Sequence, residues 1–547
     1  MKKMSNMLLR LPHDTLLVVS DFLGQRVLSQ VCTHLWRVLK HRHLTMSDRQ
    51  IPLLSRDAIP RIHTLNMRMM TPAYYPMHPS LCHTIQECRI ASALNNISPF
   101  IALERLRLTT VGEPLTVNAL KLLGPLTHPQ LQSLHVLFGL TRTEESALCL
   151  FLQSFTNGSL PSLTEVRFQL QPNRCMSRQD MYCLHFLTAP QLKLRILEMA
   201  LSGPSWNGDH LLKSCCPLVM GQSKMLHLRL KFEGTGVSDH GIIHHVPVLL
   251  GAHGNLQQLD LNFARGDIRT RKGMYSLLNA IVGLQQLQRL DLNLTSCNLP
   301  DTGAFRVLSG LPTLMALHLN VSHNQLVDRK TMTGILSLVQ ERGSRIQSLK
   351  LCYQGTNIPE WCAGVKLSNV TMSSLTMAMS HRCSFGLPVV LRSCCPSMLQ
   401  QLTLDFGSTC VGDRGGQRLG YLLMQYGALQ KLDLSLHGNQ IQDVGLNMIL
   451  QAVLQMQYLK ELFLSVEKNR ITSCGLNLLS FLFQRPLNPL CVNMSDNPIG
   501  LHGIQMVCGF AQSRQEAGLQ VLLCGCHALT PFQRDDLLRH VPHGICL

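Results

Sequence analysis

Cys524, Cys526 and His527 are the tightest group of potential metal ligands in the chain. Two thiols at i and i+2 on a strand would face the same side, but a closed zinc site needs four ligands. No second ligand pair stands at a matching spacing. Structural cysteine is therefore the expectation, with no metal and no cofactor. The neighbouring thiols Cys215-Cys216 and Cys394-Cys395 would be redox-active only if one were held as a thiolate; core thiols are the simpler reading. The 24 histidines show no ligand spacing. Phosphate-loop, zinc-protease, nucleophile-elbow and kinase signatures do not occur. No residue is assigned a catalytic role, and the chain is expected not to be an enzyme.

Recognition is the chemistry that remains, and it depends on which elements present polar side chains. The clearest element is LQKLDLSLHGNQIQDVG, Leu429 to Gly445. Leu432, Leu434 and Leu436 have the period of two that a strand with one buried face requires. A polar turn carries Asn439, Ile441 follows, and LNMILQAVLQM then has helical apolar spacing. A strand, a turn and a helix in ~30 residues cannot bury their own apolar faces, so the unit must recur.

It does recur. Positions equivalent to Leu429 are Leu103, Leu131, Leu163, Leu194, Met225, Leu256, Leu287, Leu314, Ile346, Met372, Leu399, Leu459, Leu487 and Leu519, with Ile62 as a degenerate first copy. Seven residues after these origins another apolar side chain sits, for example Phe232, Phe263, Leu294, Leu436 and Met494. Twelve after, an aliphatic residue often returns, as at Val237, Ile268, Ile441 and Ile471. Asn324, Asn439, Asn469 and Asn497 stand two before that point, suited to bond the turn's backbone.

The LxxLxL pattern resembles the leucine-rich repeat family, and the length and the helices that open on glycine resemble its ribonuclease-inhibitor type. The resemblance implies an α/β solenoid shaped as a horseshoe, with a parallel sheet on the concave face and α-helices on the convex face. It also implies that a protein target binds the concave face. The residues expected there are Arg105, Arg107, Arg167, Arg229 and Lys231 in the early repeats, then Asp260, Asp291, Asp433 and the aromatic Phe463. Asn262, Asn293, Asn320, Asp405, Ser435, Ser465 and Asn493 form a second row six after each origin.

Residues 1–45 have a different texture. Leu and Val recur at three- and four-residue steps, Pro12 suits a first helical turn and Gly24 breaks the run. The segment resembles a degenerate F-box, the adaptor-binding module of SCF-type ubiquitin ligases. Leu11-Pro12 with Asp14 stands at its opening, and Leu16, Val19, Phe22 and Leu23 at its first helix. Leu28, Val31-Cys32 and Trp36 stand at its close. The resemblance implies that Leu11, Pro12, Leu16, Val19, Phe22, Leu23, Val31 and Trp36 contact a Skp-type adaptor and, through it, a cullin ligase. The competing reading is a helical cap on the end of the solenoid. Residues 46–100 read as a linker and N-terminal cap holding the degenerate first repeat, 101–530 as the repeats, and 531–547 as a C-terminal cap.

The 547 residues are 45% hydrophobic and 15% charged, a globular balance. No apolar run is long enough for a membrane span, so no membrane partner is expected. Arg10, His13 and Asp14 interrupt what would otherwise look like a signal sequence. Together with 21 cysteines in no framework spacing, this points to reduced thiols and a cytoplasmic or nuclear protein. The net charge of +17 favours a target with an acidic surface. A nucleic-acid-binding scaffold is the third reading; it has only that charge behind it, because no basic-aromatic interleave is present.

Overall fold

Two or three residues after nearly every origin, a short strand begins in the computed structural model. The model describes residues 43–47, 64–70, 103–111, 130–140 and 162–172, and most of 193–324. Further on it describes single positions from 331 to 338, then 345–354, 373–378, 396–512, 518–526, 537 and 545–546. The chain divides into two units, residues 1–266 and 267–547.

In the first unit β1 (His43–Ser47), β2 (Thr64–Met70), β3 (Arg105–Val111), β4 (Ser133–Leu140), β5 (Glu165–Pro172), β6 (Ile196–Leu201), β7 (His227–Lys231) and β8 (Gln258–Asn262) pair in sequence order. Every pairing is parallel. The second unit begins with β9 (Arg289–Asn293), β10 (Ala316–Asn320), β11 (Ser348–Cys352), β12 (Ser374–Ala378) and β13 (Gln401–Asp405). It continues with β14 (Lys431–Ser435), β15 (Glu461–Ser465), β16 (Leu490–Asn493), β17 (Leu519–Leu522) and β18 (Ile545–Cys546), again parallel throughout. This is the α/β leucine-rich repeat solenoid that the spacing implies.

Each strand sends alternate residues inward. In β14 Leu432 and Leu434 are fully buried, and so are Leu429 before the strand and Leu436 after it. Burying each such leucine contributes roughly 1.5–3 kcal/mol, so one repeat is stable only while its neighbours cover it. The residue seven after the origin is buried wherever its burial is described, from Leu201 through Phe232, Phe263 and Leu294 to Met494. Its N–H prolongs the ladder: Leu436 N donates to Ser465 O at 2.7 Å and Val466 N to Asn493 O at 2.8 Å. The extra apolar step therefore extends each strand's pairing by one position.

Behind the sheets lie helices. The first unit holds α1 (Gly208–Met220) and α2 (Asp239–Gly251). The second holds α3 (Arg271–Val282), α4 (Gly412–Leu423), α5 (Asp443–Gln455), α6 (Leu479–Phe483) and α7 (Gly500–Gln512). In α5, Leu446, Ile449, Leu450 and Val453 turn inward at three- and four-residue steps. Not every connection is an α-helix: Ala304–Gly310 and Ser473–Leu476 are 3-10 turns.

An acidic ladder explains why these helices open on glycine. Asp413, in the first turn of α4, accepts hydrogen bonds from Gln442 N at 3.0 Å and Gly445 N at 2.7 Å. Asp443 does the same for Thr472 N at 2.8 Å and Thr472 Oγ1 at 2.7 Å. Each carboxylate thus sits at the positive end of its own helix and satisfies donors of the next. A Cβ on Gly445 would stand 2.6 Å from Asp413 Oδ1, so no side chain fits there.

Three expectations change. The segment 1–45 is expected to be helical, but its last residues, from His43, belong to a strand in register with β2, and residues 1–42 lie outside the described residues. Leu519 is not an origin: it pairs with Leu490 and so occupies the position of Leu432, three residues further along. The last repeat runs from residue 516, and sequence spacing misplaced it because residue 516 is a glutamate. Within the proposed cap 531–547, Ile545–Cys546 adds a strand beside β17. The adaptor residues assigned from Leu11 to Trp36 lie outside the described residues.

Candidate functional site

Parallel register brings the residues four after each origin into one row on the face of the sheet away from the helices. In the first unit the row reads Arg107, His135, Arg167, Glu198, Arg229 and Asp260, each the register partner of the next. Arg105 lies beside it in β3 and, like Arg107, is exposed. The remaining arginines do not form a bare basic strip. Arg167 is 2.5 Å from Glu165 and 3.9 Å from Glu198, and Arg229 is 3.1 Å from Glu198 and 2.6 Å from Asp260. Burial works against the Arg229 charge, but Glu198 and Asp260 outweigh it and hold the guanidinium above its usual range. His135 goes the other way: burial, then Arg107 and Arg167, push its pKa down, so it stays neutral at pH 7. Lys231, two positions beyond Arg229, is half-buried and opposes Asn262.

The second unit's row starts at Asp291, which accepts from Arg289 Nε at 2.8 Å and pairs with His318 Nδ1. Burial alone would raise the Asp291 carboxyl; the bonds from His318 and Arg289 win, and it sits below the usual carboxylate range. Lys350, Thr376, Thr403, Asp433, Phe463 and Cys491 follow in register. Around Asp433 the charges gather. Lys431 bonds Glu461 at 2.9 Å and lies 5.4 Å from the Phe463 ring centre, within cation–π range. Phe463 is half-buried under that ammonium, less open than spacing alone suggested.

Asp433 is the exception in this row. Burial raises its carboxyl pKa, Lys431 only partly offsets this, and Asp405 on the neighbouring strand adds repulsion. A carboxylate whose folded pKa exceeds its unfolded value of 3.8 costs stability when ionised. The penalty is complete above the folded pKa and vanishes as pH falls below the unfolded one. Asp433→Asn is accordingly expected to raise the melting temperature at pH 7, with the gain fading as pH falls through the folded pKa and on below 3.8. Paired thermal melts across that range check it.

The amide row six after each origin is committed to structure. Asn262, Asn293, Asn320 and Asn493 each accept, through Oδ1, the N–H two residues on: Ala264, Thr295, Ser322 and Ser495, at 2.9–3.1 Å. Asp405 does the same for Gly407 at 3.2 Å. These Asx turns carry the chain out of the sheet. Sequence spacing found the row but read it as a binding surface.

Sequence reasoning also missed the extent of the asparagine ladder. Asn439 Oδ1 accepts from Thr409 N at 2.9 Å and Val411 N at 3.1 Å in the preceding repeat. Its Nδ2 donates to Phe406 O and His437 O, and its own N–H goes to Asn469 Oδ1. Cys526 stands in this series in place of asparagine, with Sγ donating to Met494 O at 3.1 Å. In the Cys524–Cys526–His527 cluster, Cys524 and Cys526 both lie in the turn after β17, Cys524 exposed and Cys526 buried, and His527 lies outside the described residues. No group of three potential ligands converges among the described residues. Burial raises the Cys215 thiol strongly and pushes Cys216 up to about 11, which leaves both inert at neutral pH. Cys394 and Cys395 lie outside the described residues. Among the described residues, no helix is long and apolar enough to cross a membrane.

No family model matches the chain, and no curated protein sequence matches it. Solved structures do. One is the crystal structure of the mouse RP105/MD-1 complex, at 13% identity and a TM-score of 0.37, covering 89% of this chain and 87% of that one. Another is the Drosophila Toll–Spatzle complex, at 15% identity and a TM-score of 0.33, covering 83% of this chain. This chain spans 61% of the length of the chain it matches there.

Proposed function

We propose that this protein is a non-enzymatic interaction scaffold that holds a protein target on the open face of its repeat sheet. The observation that carries the reading is Asp433 in its setting. Burial and the neighbouring Asp405 disfavour the charge of Asp433, while Lys431, bonded to Glu461 and close to the Phe463 ring, only partly offsets them. A carboxylate whose charge is disfavoured by its surroundings, on the open face of the sheet, is a candidate position for a partner's cation. The repeats provide the rigid frame that such a site needs.

The finer part of the proposal is that residues 1–45 bind a Skp-type adaptor. The chain would then be the substrate-recognition subunit of an SCF-type ubiquitin ligase, acting in the cytoplasm or the nucleus. Its support is the Leu11-Pro12 to Trp36 pattern. A second reading, that these residues only cap the solenoid, is favoured by one observation: β1, His43–Ser47, pairs with β2, so the sheet already starts inside the 45-residue segment.

Affinity purification with mass spectrometry separates the two readings. L11A/P12A is expected to lose the adaptor and keep the target, because truncating buried anchors costs ~2 kcal/mol or more. Asp433→Lys with Phe463→Ala is expected to lose the target and keep the adaptor. Unchanged adaptor recovery in L11A/P12A would sink the ligase role and leave the scaffold. Unchanged target recovery in the second variant would sink the open-face site.

A further inference from the structure

The last strand pairing of the second unit is short. Among the described residues, β18 meets β17 at Val521↔Ile545 and Leu522↔Cys546, with one further bond from Leu523 N to Cys546 O at 2.8 Å. Without β18, β17 would be the open edge of a parallel sheet, a row of unpaired backbone groups beside the exposed Leu522. At this junction two exposed thiols approach each other. Cys524 lies in the turn two residues past β17, whose last residue Leu522 is the register partner of Cys546, and its Sγ lies 3.7 Å from Cys546 Sγ. A disulfide needs the sulfurs at ~2.05 Å, so closure calls for an approach of about 1.7 Å.

We propose that Cys524 and Cys546 are a reversible modification site. They form a disulfide by exchange with a low-molecular-weight disulfide of the glutathione type, and the bond fastens β18 onto β17. The chemistry balances as two exchanges. One cysteine thiolate attacks the small disulfide, forming a mixed disulfide and expelling one small thiolate. The second cysteine thiolate then attacks the protein sulfur of that mixed disulfide, expelling the other. Two electrons pass from the cysteine pair to the small disulfide, and the two thiol protons end on the two released small thiols.

The other described thiols near this end of the sheet are committed elsewhere. Cys526 is buried on Met494 O, Cys508 is buried on α7, and Cys491 donates to Gln520 Oε1. Cys410 and Cys474 are exposed, but neither has a thiol partner among the described contacts, which makes them internal controls for simple glutathionylation. The bond would join residues 22 apart in sequence, so it would turn the docking of a two-residue strand into a short-range event. The oxidised protein then presents a covered sheet edge, and the reduced protein one that opens more readily.

The test uses the full chain equilibrated with reduced and oxidised glutathione, quenched with an alkylating agent and mapped without reduction. Trypsin cuts after Arg514, Arg534 and Arg539, so the expected product is peptide 515–534 joined to peptide 540–547, lighter by two hydrogens than their sum. Fragment ions between Cys524 and Cys526 assign the bond to Cys524. Amide exchange at 519–523 is expected to slow at least severalfold on oxidation. Cys546→Ser is expected to trap Cys524 as its glutathione adduct with no cross-link. If Cys410 and Cys474 become glutathionylated while 524 and 546 stay separate, the proposal fails. It fails equally if the cross-link forms through Cys526 or leaves exchange at 519–523 unchanged.

Discussion

Asn439→Ala is expected to lower the unfolding free energy of the second unit by about 3–5 kcal/mol, the sum of several buried hydrogen bonds left unmade. The side chain is fully buried and bonds two repeats at once. Its oxygen serves Thr409 N, Val411 N and Thr409 Oγ1, and its amide nitrogen serves Phe406 O and His437 O. Alanine leaves these groups without their partner at a position that is fully buried. Native-state amide exchange reads the effect where it arises, at Thr409 and Val411, which should lose protection first. Asn439→Asp is the informative control. It keeps the acceptor but loses both donors and buries a charge, so it should be at least as damaging as alanine. A loss below 1 kcal/mol in both variants would show that the ladder follows from the stacking and does not hold it.

Phe232→Ala is expected to cost the first unit about 3–5 kcal/mol, as large aromatic truncations in closed cores do. Phe232 and Phe263 occupy the same place in successive repeats, both fully buried, with ring centres 6.2 Å apart and planes 26° apart. Deleting one ring removes its own burial and also the stacking face of the other. The hole cannot be filled by collapse, because the backbone around it is tied into the sheet by Phe232 N to Asn262 O at 2.7 Å. Phe232→Leu should recover more than half of the loss. Denaturant unfolding followed by exchange at β7 and β8 measures both. Equal stability of the alanine variant and the parent would mean the repeat tolerates an empty position there, against the packing argument.

Much of this fold was legible in the sequence because a solenoid writes its register as a linear period. Leu432, Leu434 and Leu436 could be placed inward from spacing alone, and the structure buries all three. The row from Asp291 to Cys491 could be placed on one face for the same reason. The failures share one cause. Leu519 was misplaced, β1 was missed, and the turn bonds of Asn293 and Asn320 were not foreseen, all because one-dimensional spacing contains no partner. Only pairing with Leu490 shows where Leu519 stands, and only the N–H groups of Thr295 and Ser322 show what the amides do.

Sequence by itself therefore determined the repeat, the parallel sheet and the two side-chain rows, since each follows from a period that the strand geometry imposes. Tertiary structure alone decided which charges on those rows are spoken for. Arg167 and Arg229 look like a basic strip in the sequence and are neutralised by Glu198 and Asp260 in the fold. Asp433 looks like any acidic residue in the sequence and is raised by burial in the fold. The physical reason is distance: Coulomb and desolvation energies act between groups about 30 residues apart in sequence and a few ångströms apart in space, and only stacked repeats bring those together.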